Sequence, residues 1–262
     1  MKLARLSLPI LLVFTIFLSL QTSGQRSVVL NMPRYDDELF HFGFVLGLNQ
    51  SFVSIRPIDD LATRVFGPSY FPESDFLQTP DSGKVLTIQS RPIPGFTISI
   101  VGDMRLGEHF NLRFIPSLAF GDRDLLYTIQ TFTKGDTTQL DFTKKVPSTY
   151  INLPLEIKFK SKRYNNFRVY LMAGVQYTLD LASQAKKREE KNRDQKIVKF
   201  NQNDIYLEAG IGFDFYNEWF KMGVELKMMY GLMDNLTREG NIYTESIAGL
   251  HSRIFQLSFT FE

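Results

Sequence analysis

The chain has 262 residues, with 30 Lys and Arg against 28 Asp and Glu and a net charge of +2. That balance builds no broad field for a polyanion, so nucleic acid is not an expected partner. There is no cysteine, which removes disulfides, thiol nucleophiles and thiolate metal sites.

The N-terminus carries Lys2 and Arg5, then an apolar run over residues 6–20, then Thr22-Ser23-Gly24. A basic start, an apolar centre and small residues before a cut describe a secretory signal peptide. The expected cut lies between Gly24 and Gln25. The expected organisation is then a leader over 1–24, a short periplasmic tail over 25–39 and one domain over 40–262. No later apolar run reaches the ~20 residues that a membrane-spanning helix needs.

Eight segments of the remaining chain alternate large apolar residues with polar or small ones, the period of a strand with two unlike faces. They cover 40–49, 95–104, 111–130, 150–160, 167–180, 205–216, 220–231 and 252–261. The third is long, and Gly121-Asp122 predicts a bend in it. Short connectors with tight-turn composition follow the second, fourth and sixth strands: "RLGEH", "SKRYNN" and "NEW". Long connectors cover 50–94, 131–149, 181–204 and 232–251. Strict alternation of short and long connectors predicts an all-β, eight-stranded antiparallel up-and-down barrel. Its short turns gather at one end and its long loops at the other.

The alternation fits a soluble barrel or a membrane barrel, which differ in the face they wet. Three features favour the membrane, with the apolar faces on lipid. Glycines such as Gly174, Gly210, Gly212 and Gly223 sit on the polar faces, where a narrow lumen needs small side chains beside its large ones. The export signal accompanies an asymmetry of short turns and long loops. The chain also finishes in the alternating stretch "FQLSFTFE", although Glu262 departs from the terminal aromatic expected there. An exported barrel of this kind belongs in the outer membrane.

On that reading Glu156, Lys158, Arg168, Glu208, Asp214, Glu225 and Lys227 point into the lumen. Buried charges must pair, so a structural network is expected there, with Lys221 at the periplasmic rim. The expected lumen is filled and is not a wide pore.

Little points to catalysis or a cofactor. His41, His109 and His251 are far apart and lack metal-ligand spacing. Asp59-Asp60 and the adjacent His251-Ser252 are the only faint hints of a barrel hydrolase, and a neighbouring His-Ser pair makes no triad alone. The charged run 185–196 reads as a solvated loop tip or a contact for lipopolysaccharide phosphates or a partner protein. The first long connector carries Phe66, Tyr70, Phe71 and Phe76. These aromatics either cap the barrel mouth or form a partner-contact surface.

Two blocks carry a family resemblance. "NMPRYDDELFHFGFVLGLNQSFVSIR" (31–56) resembles the start of the mature PorT family, where N-x-P-x-Y-D leads into an H-F-G-F-x-L-G-x-N strand. "INLPLEIKFKSKRYNNFRVYLMAGVQYTLDLAS" (151–183) resembles that family's central hairpin, where R-x-N-N turns into a Tyr-x-x-x-Gly strand. The resemblance implies a non-enzymatic outer-membrane component of the Bacteroidota type IX secretion system. That system exports proteins with C-terminal sorting domains and in some hosts supports gliding. Implied partners are other outer-membrane and periplasmic secretion proteins, with outer-membrane lipid and lipopolysaccharide around the barrel; no cofactor is implied. Two alternatives stay open: an OmpX-like structural or adhesin barrel, and a hydrolase acting on lipid A or peptides.

Overall fold

The structure is a computed structural model describing residues 29–182 and 198–262, except 74, 77 and the side chain of 199. Contacts divide the chain into two compact units, Met1–Leu30 and Asn31–Glu262, and the second holds the fold. The expected leader, its cut at Gly24–Gln25 and the charged run 185–196 lie outside the described residues.

Strand β1 spans Phe40–Pro57, β2 Ser82–Arg105, β3 Phe110–Phe114 and β4 Ser117–Phe120. Next come β5, Arg123–Thr133, β6, Asp136–Val146, β7, Thr149–Lys160, and β8, Phe167–Asp180. The short β9 spans Lys199–Phe200, β10 Asn203–Tyr216 and β11 Lys221–Gly231. After the short β12, Leu236–Thr237, a one-turn helix α1, Ile242–Glu245, leads into β13, Ile247–Phe261.

The strands run β1–β13–β11–β10–β8–β7–β3–β2, and β2 pairs back onto β1 from Phe40–Met104 to Ser51–Ile93. The sheet thus returns to its start and leaves no edge in this ring. β3 and β4 are two pieces of one wall strand, since both pair with β2 and β7. The break falls at Ile115-Pro116, where proline has no N–H for the ladder. Counted as one, they complete the predicted eight-stranded antiparallel up-and-down barrel, and the predicted bend at Gly121-Asp122 separates β4 from β5.

Two predicted connectors need correction. Residues 131–149 are mostly strand, because β5 and β6 form a hairpin that prolongs the wall beyond the barrel. The outer half of β2 joins it, with Ser82 opposite Phe132 and Pro92 opposite Arg123. Lys134 and Gly135 make the turn with φ of 49° and 91°, the doubly positive geometry of a two-residue hairpin. The connector 50–94 shrinks to 58–81 for the same reason. The Thr- and Lys-rich composition of β6 hid a strand whose Leu140 and Phe142 still pack inward.

The apolar faces point outward around the ring. Phe42, Ile100, Ile157, Leu171 and Leu226 are each more than half exposed. Lys227 and Glu225, their neighbours on the other face, are 4% and 0% exposed. In water such a belt would be untenable, and in lipid it is the driving surface.

Candidate functional site: a filled lumen closed at both mouths

Arg113 of β3 stands at the centre of the lumen and is fully buried. Its Nη1 donates to Glu225 of β11 at 2.7 Å and lies 3.6 Å from Glu156 of β7. Asp103 and Glu262 each approach the same guanidinium at 3.7 Å. Lys227 bonds Glu156 and lies 3.3 Å from Glu225. Lys158 pairs with Asp214 at 3.1 Å and sits 3.7 Å above the Tyr170 ring. The Tyr170 hydroxyl donates to Glu225 at 2.7 Å.

Strand register sets this arrangement. Lumen-facing residues recur every second position, so paired strands bring Glu225 beside Gly212 and Lys227 beside Gly210. The glycines make room. A Cβ on Gly212 would fall 2.2 Å from Cζ of Tyr170, so the tyrosine ring occupies the space that any side chain there would take.

The network differs from the expected one in three ways. Glu208 is buried but makes no ion pair among the described residues, and its Oε1 has no hydrogen-bond partner. Its nearest cation, Lys227, is turned instead toward Glu156 and Glu225. Arg168 pairs with no lumen acid and takes its partner from the N-terminal tail. Arg113, Asp103, Tyr170 and Glu262 join the network without having been expected in it from sequence. Alternation with Phe110, Leu112 and Phe114 could have found Arg113. Glu262, the residue that broke the terminal-aromatic expectation, turns inward and meets Lys221 at 2.5 Å. Lys221 is at the rim as expected, but buried.

The tail closes the mouth at the turn end. Its single 3₁₀ turn, Tyr35–Asp37, sets two side chains into the opening. Asp36 accepts from both terminal nitrogens of Arg168 at 2.7 Å and from the Tyr216 hydroxyl at 3.2 Å. Burial pushes the Asp36 carboxyl up, but the hydrogen bonds and charge of Arg168 outweigh it and hold the group below its ordinary value. Tyr35 stacks on His41 at 4.0 Å and donates to Glu262 at 3.0 Å. Burial and the Glu262 charge raise the Tyr35 phenol.

Asn31 seals the rim, its N–H donating to Asn166 at 2.9 Å and its side-chain amide to the Tyr216 carbonyl at 3.0 Å. Arg163 donates to the carbonyls of Asn31 and Met32 and stacks on Tyr216 at 3.7 Å. The turn 161–166 and the tail therefore form one closure.

A dry core closes the loop end. Phe66, Phe71 and Phe76 are buried there with Val85, Leu125 and Tyr127 of the prolonged wall. Ile242 and Tyr243 of α1 complete it, and Tyr70 packs against it. Tyr243 donates to Asp75 at 2.8 Å, and Lys144 donates to both oxygens of the same carboxylate at 2.8 Å. Phe66, Phe71 and Phe76 thus spend their apolar area in this core as a cap would, while Tyr70 packs on its edge and stays part exposed.

The hints of hydrolysis come apart. His251 and Ser252 are successive residues of β13 and point to opposite faces. Ser252 is buried inward and accepts from Asn235 at 2.9 Å, while His251 faces outward beside Tyr230. Asp59 and Asp60 are exposed beyond the end of β1. No cluster of metal-ligating residues occurs among the described residues.

Three solved structures are similar to the chain at low identity. Neisserial surface protein A matches at 9% identity over 85% of this chain and 98% of its own, with a TM-score of 0.40. Ail, the attachment invasion locus protein of Yersinia pestis, matches at 10% over 86% and 98%, with a TM-score of 0.35. OprG of Pseudomonas aeruginosa matches at 11% over 84% and 92%, with a TM-score of 0.34. No curated relative matches by sequence. The family described as outer membrane protein beta-barrel domain matches residues 21–237, and the chain belongs to that family of outer-membrane barrels.

Proposed function

We propose that this barrel is a non-enzymatic accessory or assembly subunit of protein secretion across the outer membrane, of the PorT type in the type IX system. The tail lies in the periplasm, the capped end faces outward, and residues 1–24 are removed on export. Its partners are other outer-membrane and periplasmic secretion proteins. The observation that supports this reading most is the meeting of the two blocks that resemble the PorT family. Asn31 and Asp36 of the first block bind Asn166 and Arg168 of the second. Asn31, Asp36 and Asn166 belong to the resembling motifs, and with Arg168 beside them they serve one structure, the closed turn end. A lumen blocked by charge pairs at its centre and plugs at both mouths favours action through surfaces over conduction of cargo.

The test is genetic. Deleting the gene should strand proteins with C-terminal sorting domains as precursors in the periplasm, and a plasmid copy should release them. Normal export in the deletion strain would sink the proposal. Unchanged lipid A mass spectra and absent peptidase activity are expected of the purified barrel.

A further inference from the structure

Most cations of the barrel wall are paired inside it. Arg253 is not. It lies on the outward face of β13, in line with the lipid-facing Phe255, Leu257 and Phe259. Arg253 stands eight residues from Phe261, about 21 Å along the barrel axis at ~3.4 Å per residue and ~40° of tilt. That places it close to the upper limit of an apolar band ~25 Å tall, at headgroup depth.

Its neighbours make a recess of a particular chemistry. Cross-strand register sets Phe52 of β1 on one side and Tyr230 of β11 on the other. The Arg253 guanidinium lies 5.4 Å from the Tyr230 ring centroid, and His251 stacks on the same ring at 6.1 Å. Arg56 is exposed on the adjoining strand, two residues beyond Ser54, the partner of His251. Arg253 Nε and His251 Nδ1 are both shielded and have no hydrogen-bond partner. None of the three basic residues makes an ion pair among the described residues. Aromatic side chains flank the guanidinium at headgroup depth, where an acceptor with several anionic oxygens would satisfy its donors.

We infer that Arg253, His251 and Arg56 form a binding site for the phosphate of an outer-leaflet lipid, with Tyr230 and Phe52 as its walls. The site fixes the depth of the barrel on this side and is independent of any role in secretion.

The test uses the full mature barrel in detergent, titrated with bisphosphoryl lipid A and read by native mass spectrometry. Arg253→Gln should weaken binding about fivefold, the value of one cation near a charged membrane surface. Adding Arg56→Gln should weaken it further, and Lys134→Gln at the hairpin tip should not. Heat-modifiable gel mobility checks that each variant is folded. Enzymatically dephosphorylated lipid A should bind wild type more weakly than bisphosphoryl lipid A, by at least the loss seen in the double variant, and the comparison of the two lipids on wild type needs no variant to fold. Equal binding of the two lipids, or unchanged binding by a folded Arg253→Gln barrel, would overturn the site. Complete displacement by millimolar inorganic phosphate would assign it to free phosphate and overturn the lipid.

Discussion

Asp36 and Arg168 are 132 residues apart in the chain and share two hydrogen bonds of 2.7 Å. The pair joins the tail to the inner face of β8 by a bidentate, charge-assisted contact that holds the plug in the turn-end mouth. Tyr216 reinforces it by donating to the same carboxylate.

This pair sets a pH dependence for the plug. The Asp36 carboxyl is lowered in the folded barrel relative to a free chain. Its contribution is therefore fully present above the free-chain value of about 3.9 and is lost as pH falls through the lower folded value. Hydrogen exchange of residues 31–39, corrected for intrinsic rates, should show constant protection from neutral pH to about pH 4 and loss below it. Asp36→Asn should expose the segment at neutral pH. Protection lost on raising pH to about 8, where the carboxylate is already ionised, would contradict the assignment.

The central network predicts asymmetric mutant costs. Arg113→Met leaves Glu225, Glu156 and Asp103 without their shared cation. Removing one partner from a buried cluster costs about 3–5 kcal/mol. Urea unfolding followed by gel mobility should show that loss, and Arg113→Met with Glu225→Met should recover part of it. A double variant as unstable as the sum of the single ones would mean the two residues are not coupled.

Which parts of this were legible in the chain follows from period and distance. Strand faces repeat every second residue, so Leu226 and Lys227 reveal opposite walls to anyone reading along β11. Lumen membership followed from the same period, and six of the seven expected residues are paired. Glu225 and Lys227, two residues apart on one face, are legible as a pair and lie 3.3 Å apart, but the cross-strand partners did not follow. Lys227 could have met Glu208 or Glu156, and only the tilt and stagger of the closed sheet decide between them. The plug was less legible still. Tyr35 and Glu262 are 227 residues apart, and a tail with one 3₁₀ turn has no period to read. Strand β6, the second half of the hairpin, was hidden because its residues are largely exposed and polar, which makes its composition that of a loop.

Gly212 offers a test of the packing argument. Replacing it with Val puts branched atoms where the Tyr170 ring lies, since even the Cβ would fall 2.2 Å from that ring. Overpacking of this kind costs about 1–3 kcal/mol. Tyr170→Ser should restore part of the lost urea midpoint in the Gly212→Val background, although alone it destabilises by removing one hydrogen-bond donor from Glu225. If Tyr170→Ser gave no relief, the ring is not what fills that space.

The two faces of β11 should respond to substitution through different steps. Leu226→Lys puts an ammonium on the lipid side near the midplane, at a cost of about 2–4 kcal/mol. It should impair insertion, seen as loss of the heat-modifiable band in purified outer membranes. Lys227→Leu keeps the lipid face intact but removes the cation between Glu156 and Glu225. It should insert and then unfold at lower urea. Equal tolerance of both changes would mean the faces are assigned wrongly.

Conduction separates a filled barrel from a pore. Arg113 at the centre, Tyr35 with Asp36 at the turn end and the aromatic core at the loop end are three barriers in series. A lumen cavity lined by Asn49, Tyr150 and Gln256 holds about 10 Å³, room for about one water. Planar-bilayer recordings of the intact barrel should show no steady single-channel steps. Deleting residues 25–39 removes one barrier and leaves two, so that variant should stay silent as well. Steps that appear only after the deletion would mean that the tail alone seals the barrel, and that the Arg113 cluster leaves a path for ions around it.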